Sequence, residues 1–174
     1  MEDYQHKLEA VIVLEGNGLG RITHQAVGSS RWKIEFEAEG GHSWNDFGNS
    51  SAVHTMSRVI SALADFKLPV EPKTTFNIGR IAGGRAVNAI ASRAEMLLEI
   101  RSLSQDILKE LTLEFKDIIK DICQQEEVGV RFEDIGRRPA GELRRDHPLV
   151  KLIKRIHQNL NLSSTFKPGS TDGN

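Results

Sequence analysis

An α+β fold, in which two helices cover one face of a four-stranded antiparallel sheet, is expected for this chain of 174 residues. Residues 31–39 alternate between apolar and charged side chains, the pattern of a half-buried strand. Residues 52–67 and 104–124 instead repeat apolar side chains with the period of a helix that buries one stripe. Further strand patterns lie at residues 73–80, 93–101 and 128–132. This order is typical of a ferredoxin-like βαββαβ sandwich.

The individual elements have local signals at their ends and along their faces. Asn49 or Ser50 can cap the first helix, and Pro69 prevents it from continuing past about residue 67. The third strand places Ala94, Met96, Leu98 and Ile100 on one side. The second helix has a long apolar stripe formed by Ile107, Leu108, Leu111, Phe115, Ile118, Ile119 and Ile122.

Both ends of the chain fit this sandwich poorly. Residues 8–15 contain a continuous apolar run, typical of a strand buried on both faces, which a small sandwich cannot provide. A loop at 137–147 and a short amphipathic helix at about 148–161 follow the last strand. We therefore expect residues 1–25 and 137–174 to be pieces of a larger α/β domain, and residues 26–136 to be a domain inserted into it.

Composition excludes several classes of protein. The 23 basic and 24 acidic residues nearly cancel, so no strong field attracts nucleic acid or a membrane surface. No apolar run approaches the length of a membrane span, and a soluble, cytoplasmic protein is expected. Cys123 has no partner for an intrachain disulfide and falls on a helix stripe, so a packing role is expected, as it is for His54.

Two glycine pairs mark candidate sites. Gly40 and Gly41 let the backbone approach another segment closely and present His42, although a tight turn with an exposed histidine is the simpler interpretation. Residues 83–84 are a hairpin connection that leads to Asn88, whose amide could cap that turn or hold a substrate.

Two charged residues are further candidates. Arg101 lies on the polar side of its strand, where a solvated charge is the simplest interpretation, but its planar fork can bind a carboxylate at two points. Glu15 ends the apolar run before Gly16, and a carboxylate at the end of a strand could bind a metal.

Taken in order, these places resemble the M20 metallopeptidase family, which includes aminoacylases, desuccinylases, carboxypeptidase G2 and dipeptidases. The resemblance rests on Val13-Leu14-Glu15-Gly16, Gly41-His42-Ser43, Asn77-Ile78-Gly79-Arg80-Ile81-Ala82-Gly83-Gly84, Asn88-Ala89-Ile90, Glu99-Ile100-Arg101 and Gly169-Ser170-Thr171-Asp172-Gly173-Asn174. It implies a catalytic α/β domain with two zinc ions, interrupted by a ferredoxin-like lid domain that mediates homodimerisation. The substrate class implied is small peptides or N-acyl amino acids.

The resemblance also implies a role for each matching residue. Glu15 matches an acidic zinc ligand, and His42 matches the lid histidine that stabilises the oxyanion in the partner subunit's active site. Asn88 and Arg101 match substrate-binding residues, and their spacing of thirteen is expected to place both near one end of the third strand. Ser170 matches a loop that lines the substrate pocket.

The family's His-x-Asp stretch does not occur in this chain, and no Glu-Glu pair or late histidine matches the family's ligands in place. We therefore expect the chain to be inactive alone and to supply the lid of a longer zinc enzyme. The alternative is a self-sufficient dimerisation or binding module without catalysis, since the outer strands of such a sheet offer edges for pairing.

Overall fold

The computed structural model of the protein describes residues 10–14, 16 and 18–169. They form a central unit, Val27–Gly141, and a flanking unit made by the residues before and after it. The strands are β1 (Arg21–Ile22), β2 (Gln25–Ala26), β3 (Gly28–Glu37), β4 (Gly41–His42), β5 (Thr74–Gly83), β6 (Ala89–Ile90), β7 (Arg93–Ser102), β8 (Gly129–Arg138), β9 (Gly141–Glu142) and β10 (Thr165–Phe166). The helices are α1 (Ala52–Ala64), α2 (Gln105–Gln125) and α3 (Pro148–Asn159).

The central unit is built on a four-stranded sheet with the order β5-β7-β3-β8. Each neighbouring pair is antiparallel, and β3 pairs with both β7 and β8 along most of its length. Helices α1 and α2 pack together on one face of the sheet. The predicted α+β fold with a four-stranded antiparallel sheet is therefore confirmed.

The core of the central unit lies between the helices and the sheet. On β3, Trp32, Ile34 and Phe36 are buried, and the charged residues between them stay on the open face. Phe115 of α2 is fully buried. Its ring contacts those of Phe66 and Phe76 edge to face, at centroid distances of 5.1 and 5.2 Å. Full burial of each such side chain stabilises the fold by roughly 1.5–3 kcal/mol.

Cys123 joins this core, as expected, and burial raises the pKa of its thiol to about 11.

The ends of two predicted elements differ from the structure. The N-cap of α1 is Ser51, whose hydroxyl accepts from the His54 N–H, so the prediction of Asn49 or Ser50 is wrong. Those two residues hold the preceding loop instead, through bonds to Gly40 and Glu39. Strand β8 extends to Arg138 rather than ending near residue 132, because its charged residues are tolerated on an edge strand that pairs only with β3.

The flanking unit contains α3 and a two-stranded parallel pair, β1 with β10. The prediction of a doubly buried strand over residues 8–15 is wrong for its described part, since residues 10–14 form no strand and are exposed. A strand of this kind needs neighbours on both sides, and no described strand pairs with it. Among the described residues, no helix is long and apolar enough to span a membrane.

Candidate functional site

The two segments that follow the glycine pairs, around His42 and around Asn88, meet at one end of the sheet. Strands β4 and β6 pair antiparallel, with Gly41 opposite Ile90 and His42 opposite Ala89. The Ser43 N–H donates to the Asn88 carbonyl oxygen at 3.0 Å. The structure therefore brings His42 and Asn88, which are far apart in the sequence, onto one surface, here named the tip and made by residues 40–49 and 84–90.

Glycine is required where the tip joins the sheet. Gly40 has φ +70°, and an added Cβ would lie 2.8 Å from the Ser92 Cβ and 3.0 Å from the Ile90 carbonyl oxygen. Gly41 has φ +141°, and a Cβ there would lie 2.7 Å from the Asp46 side chain. A side chain at either position would meet both backbone strain and a neighbour. Gly40 therefore permits the close approach to β6, and Gly41 permits the close approach of Asp46.

The His42 ring is oriented by the turn that follows it. Its Nδ1 accepts a hydrogen bond from the Trp44 N–H at 3.3 Å, and its own backbone N–H donates to Asp46 Oδ2 at 2.7 Å. Since Nδ1 is an acceptor, the neutral ring carries its proton on Nε2. The side chain is exposed, so the tip presents an N–H donor to a ligand or to another chain.

The sequence did not predict the roles of Asp46 and Asn49 at the tip. Asp46 accepts from the His42 N–H, and the Asn49 side chain donates to the Gly40 carbonyl oxygen at 2.9 Å. The signal was present, because Asn and Asp beside glycine in a loop commonly bond to nearby backbone.

Asn88 lies in a turn closed by a hydrogen bond from the Ala89 N–H to the Ala86 carbonyl oxygen, at 3.2 Å. Its side chain is exposed and makes no hydrogen bond with any other residue that the structure describes. The interpretation that this amide caps its own turn is therefore not supported. The amide is left available for a ligand.

Arg101 lies at the opposite end of β7 from the tip. It stands opposite Ser29 of β3, whereas Arg93 begins the strand and stands opposite Glu37. The eight steps between the two arginines, at about 3.3 Å each, separate them by about 26 Å. The expectation that Asn88 and Arg101 lie near one end of the strand is wrong, because most of their spacing is taken up by extended chain.

The Arg101 guanidinium is held by a carboxylate of its own strand. Its Nε and Nη2 donate to Glu99 at 2.8 and 2.9 Å, and Arg31 Nε donates to the same carboxylate at 2.7 Å. The Arg101 hydrogen bond lowers the pKa of Glu99 despite partial burial, and Glu99 in turn raises the pKa of Arg101. Arg101 is thus an ion-paired residue of the open sheet face rather than a solvated charge.

Two predicted site residues, Glu15 and Ser170, lie outside the described residues. Within the described part of the chain, no group of three or more His, Cys, Asp or Glu side chains is placed to hold a metal ion. The residues that can be described therefore do not fit a zinc centre.

The tip also exposes large apolar side chains. Trp44, Phe47 and Val87 are at least 85% exposed, and they lie on the two loops that carry His42 and Asn88. The tip therefore combines an oriented imidazole, an amide without a described partner and three exposed apolar side chains.

Known proteins share this fold. The chain resembles a tripeptidase from Staphylococcus aureus (22% identity, TM-score 0.74, covering 87% of this chain and 40% of that chain). It also resembles the aminopeptidase PepT from Bacillus cereus (18% identity, TM-score 0.74, covering 87% of this chain and 40% of that chain). An amidase of the hydantoinase/carbamoylase family from Burkholderia vietnamiensis is similar as well (16% identity, TM-score 0.73, covering 86% of this chain and 36% of that chain).

A curated relative is a probable hydrolase from Synechocystis sp., which is 29% identical over 126 residues, or 70% of this chain and 31% of that protein. The chain thus spans well under half the length of these proteins. Residues 25–127, more than half of the chain, match the family model described as a peptidase dimerisation domain. The chain belongs to the M20 peptidase dimerisation domain family.

Proposed function

We propose that this chain is part of a zinc-dependent M20 metallopeptidase or amidohydrolase that hydrolyses the amide bond of small peptides or N-acyl amino acids. In this proposal the central unit is the lid and dimerisation domain, and the chain is inactive alone. The observation that carries it is the pairing of His42 with the Asn88 turn at an exposed tip. Relatives described as a tripeptidase, an aminopeptidase and an amidase support the class of reaction.

His42 is proposed to stabilise the oxyanion that develops when water attacks the amide carbonyl. An N–H donor that is already oriented needs little rearrangement in the transition state, and Nδ1 of His42 is fixed by the Trp44 N–H. Asn88 adds an amide that can hold the substrate beside this donor. Both groups act here on an active site formed mostly by other parts of the protein.

The proposed zinc ions need ligands from outside the described residues. Glu15 remains the proposed metal ligand of this chain, and Ser170 remains a proposed residue of the substrate pocket. We propose that both belong to pieces of a catalytic α/β domain at residues 1–25 and 137–174.

Exposed apolar residues of the flanking unit favour such a domain over a self-sufficient module. Leu14 is 92% exposed, and the α3 residues Leu152 and Ile156 are also exposed. A protein that functions without further domains would leave this surface in water.

The unpaired single cysteine supports a cytoplasmic location.

Self-association is proposed to occur through β5, one of the two edge strands of the sheet. The other edge strand, β8, carries Arg131, Glu133, Asp134, Arg137 and Arg138, whereas the only charged residue of β5 is Arg80. Charged side chains oppose the addition of a strand, so β5 is the better edge for antiparallel pairing with a second copy. A homodimer also lets Arg101 of one protomer and the tip of the other face the same active site.

Two matched substitutions test the dimer. Ile81 and Ile135 are exposed isoleucines on β5 and β8. Ile81→Lys should convert the dimer into a monomer of 19.4 kDa in light scattering, because it places a charge in the pairing edge. Ile135→Lys should leave the dimer intact. A wild-type monomer at high concentration, or equal effects of both variants, would contradict pairing through β5.

The enzymatic role is tested at His42 in the longer protein. His42→Ala should lower kcat by roughly a hundred- to a thousandfold, the usual effect of removing one oxyanion donor. Asn45→Ala, in the same loop, is the control, because the Asn45 side chain is exposed and makes no hydrogen bond with a described residue. Turnover by His42→Ala at the control's rate would refute the role.

A further inference from the structure

Asp46 holds both backbone groups of His42. Its Oδ2 accepts from the His42 N–H at 2.7 Å, and its own N–H donates to the His42 carbonyl oxygen at 2.9 Å. A hydrogen bond from a backbone N–H to a carboxylate is shorter and stronger than a bond between neutral groups. Residues 42–46 therefore form a turn that is closed at the residue that carries the imidazole.

The neighbouring glycine leaves room for this contact. Gly41 has φ +141°, and an added Cβ there would lie 2.7 Å from both Cβ and Oδ2 of Asp46. The carboxylate therefore packs directly against the Gly41 backbone, which only glycine allows. On the other side of His42, the Ser43 N–H bonds to the Asn88 carbonyl oxygen of the facing loop. Asp46 thus holds this part of the chain from within its own loop, and Asn88 holds it from across the tip.

The orientation of the His42 ring depends on this turn. The Trp44 and Asn45 N–H groups donate to its Nδ1 at 3.3 and 3.5 Å. Both distances are longer than the usual value of about 2.9–3.0 Å for such a bond, so each bond is weak. They form because the closed turn brings residues 44 and 45 beside Nδ1. The ring therefore keeps its proton on Nε2 for as long as Asp46 keeps the turn closed.

His54, in the first turn of α1, has no comparable turn around it. It was expected to pack beside the stripe of α1, but it is exposed. Its backbone N–H is held by the Ser51 hydroxyl, whereas its ring makes no hydrogen bond with a residue that the structure describes. The turn closed by Asp46 therefore distinguishes His42 from an ordinary exposed histidine.

We infer that Asp46 is a positioning residue for His42. It acts by holding the backbone that carries the imidazole, so that the Nε2 proton meets the developing oxyanion without rearrangement. This inference rests on the proposed function for the role of His42, whereas the hold on His42 rests on the two hydrogen bonds. Asp46 lies outside the set of residues to which the family resemblance assigns a role.

Kinetics of the longer protein test the inference. Asp46→Ala should lower kcat by about ten- to a hundredfold and leave KM within about twofold, because a misplaced donor is felt mainly in the transition state. Asp46→Asn should recover most of the loss, since its amide oxygen can accept from the His42 N–H. In the His42→Ala background, Asp46→Ala should have no further effect on kcat, because it acts only through the imidazole.

Asp134→Ala is the matched control. Asp134 is also an exposed aspartate whose carboxylate accepts from a nearby backbone N–H, that of Gly136, but it lies on β8. The control should turn over substrate at the wild-type rate. Equal losses of kcat in the alanine and asparagine variants of Asp46, an equal loss in the control, or a further loss in the His42→Ala background would overturn the inference.

The state of the His42 ring gives a readout without turnover. ¹⁵N NMR of the 174-residue chain is recorded under alkaline conditions, in which histidine rings are neutral. The wild type should show one tautomer, with the proton on Nε2, and in Asp46→Ala the two ring nitrogen signals should move towards each other as both tautomers are populated. Unchanged signals would overturn the hold on His42. Full activity of His42→Ala would instead refute the proposed function, so the two failures are distinguishable.

Discussion

The two ends of β7 use polar residues in opposite ways. At the tip, each hydrogen bond that holds the chain involves a backbone group, and the side chains of His42 and Asn88 are exposed. At the far end, side chains bond to one another: Glu99 receives Arg31 and Arg101, and the Thr74 and Ser102 hydroxyls are 2.9 Å apart.

This difference distinguishes polar residues that stabilise the sheet from polar residues that are available to bind a ligand. A polar group whose hydrogen bonds are filled within the fold stabilises it, and a ligand must displace an existing partner to use that group. A donor that has no partner among the described residues, such as His42 Nε2 or the Asn88 amide, is available at no such cost. The tip is therefore the better candidate site, although Ser29 at the far end also has a buried hydroxyl with no hydrogen-bond partner among the described residues.

The largest expected effect is at the glycines of the tip. Gly40→Ala should lower the free energy of unfolding by roughly 2–4 kcal/mol, because it combines a left-handed backbone with a clash against β6 and Ser92. Urea denaturation measures this change. Gly129→Ala on β8 is the control, since its Cβ meets only ordinary contacts at 3.5 Å or more. Equal stability of the two variants would show that the close approach of β4 and β6 is not required.

A smaller effect is expected at the far end. Glu99→Gln removes the charge that joins Arg31 and Arg101, and it should cost about 1 kcal/mol of unfolding free energy, at the upper limit for a partly exposed network. Glu37→Gln, which alters a more exposed pair with Arg93 near the tip, should cost almost nothing. If the Glu37 variant were the less stable one, the contrast between the two ends would be wrong.

The pH dependence of the stability lost in Glu99→Gln gives a finer test. The arginine hydrogen bonds lower the pKa of Glu99, so its unfolded-state pKa, about 4.3, is the higher of the two. Its contribution is therefore complete above the unfolded pKa and disappears as the pH falls through the folded value. The stability difference between wild type and Glu99→Gln should be constant near pH 6 and should shrink below about pH 4.5. A constant difference down to pH 3 would exclude this ion pair as its cause.

The smallest effect on stability is expected at Asn88. Its exposed amide bonds to no described residue, so Asn88→Ala should change the free energy of unfolding by less than about 0.5 kcal/mol. In the longer protein the same change should weaken substrate binding. A large loss of stability would instead assign Asn88 a structural role in the turn.

Much of the central unit could be predicted because local patterns report which face of an element is buried. Alternation identified β3 and β7, and the apolar stripe of α2 placed Phe115 and Cys123 in the core. The glycine pairs and the family resemblance pointed to His42 and Asn88. Strands β4 and β6, with two residues each, are too short for any periodic pattern to reveal them.

The sequence by itself determined the order of the long elements, their buried faces and the candidate residues of the tip. Only the tertiary structure decided that His42 meets Asn88, that Arg101 lies at the other end of β7, and that Glu99 fills its guanidinium. The physical reason is that burial periodicity is a property of one segment, whereas pairing register and ion pairs join segments that are distant in the chain.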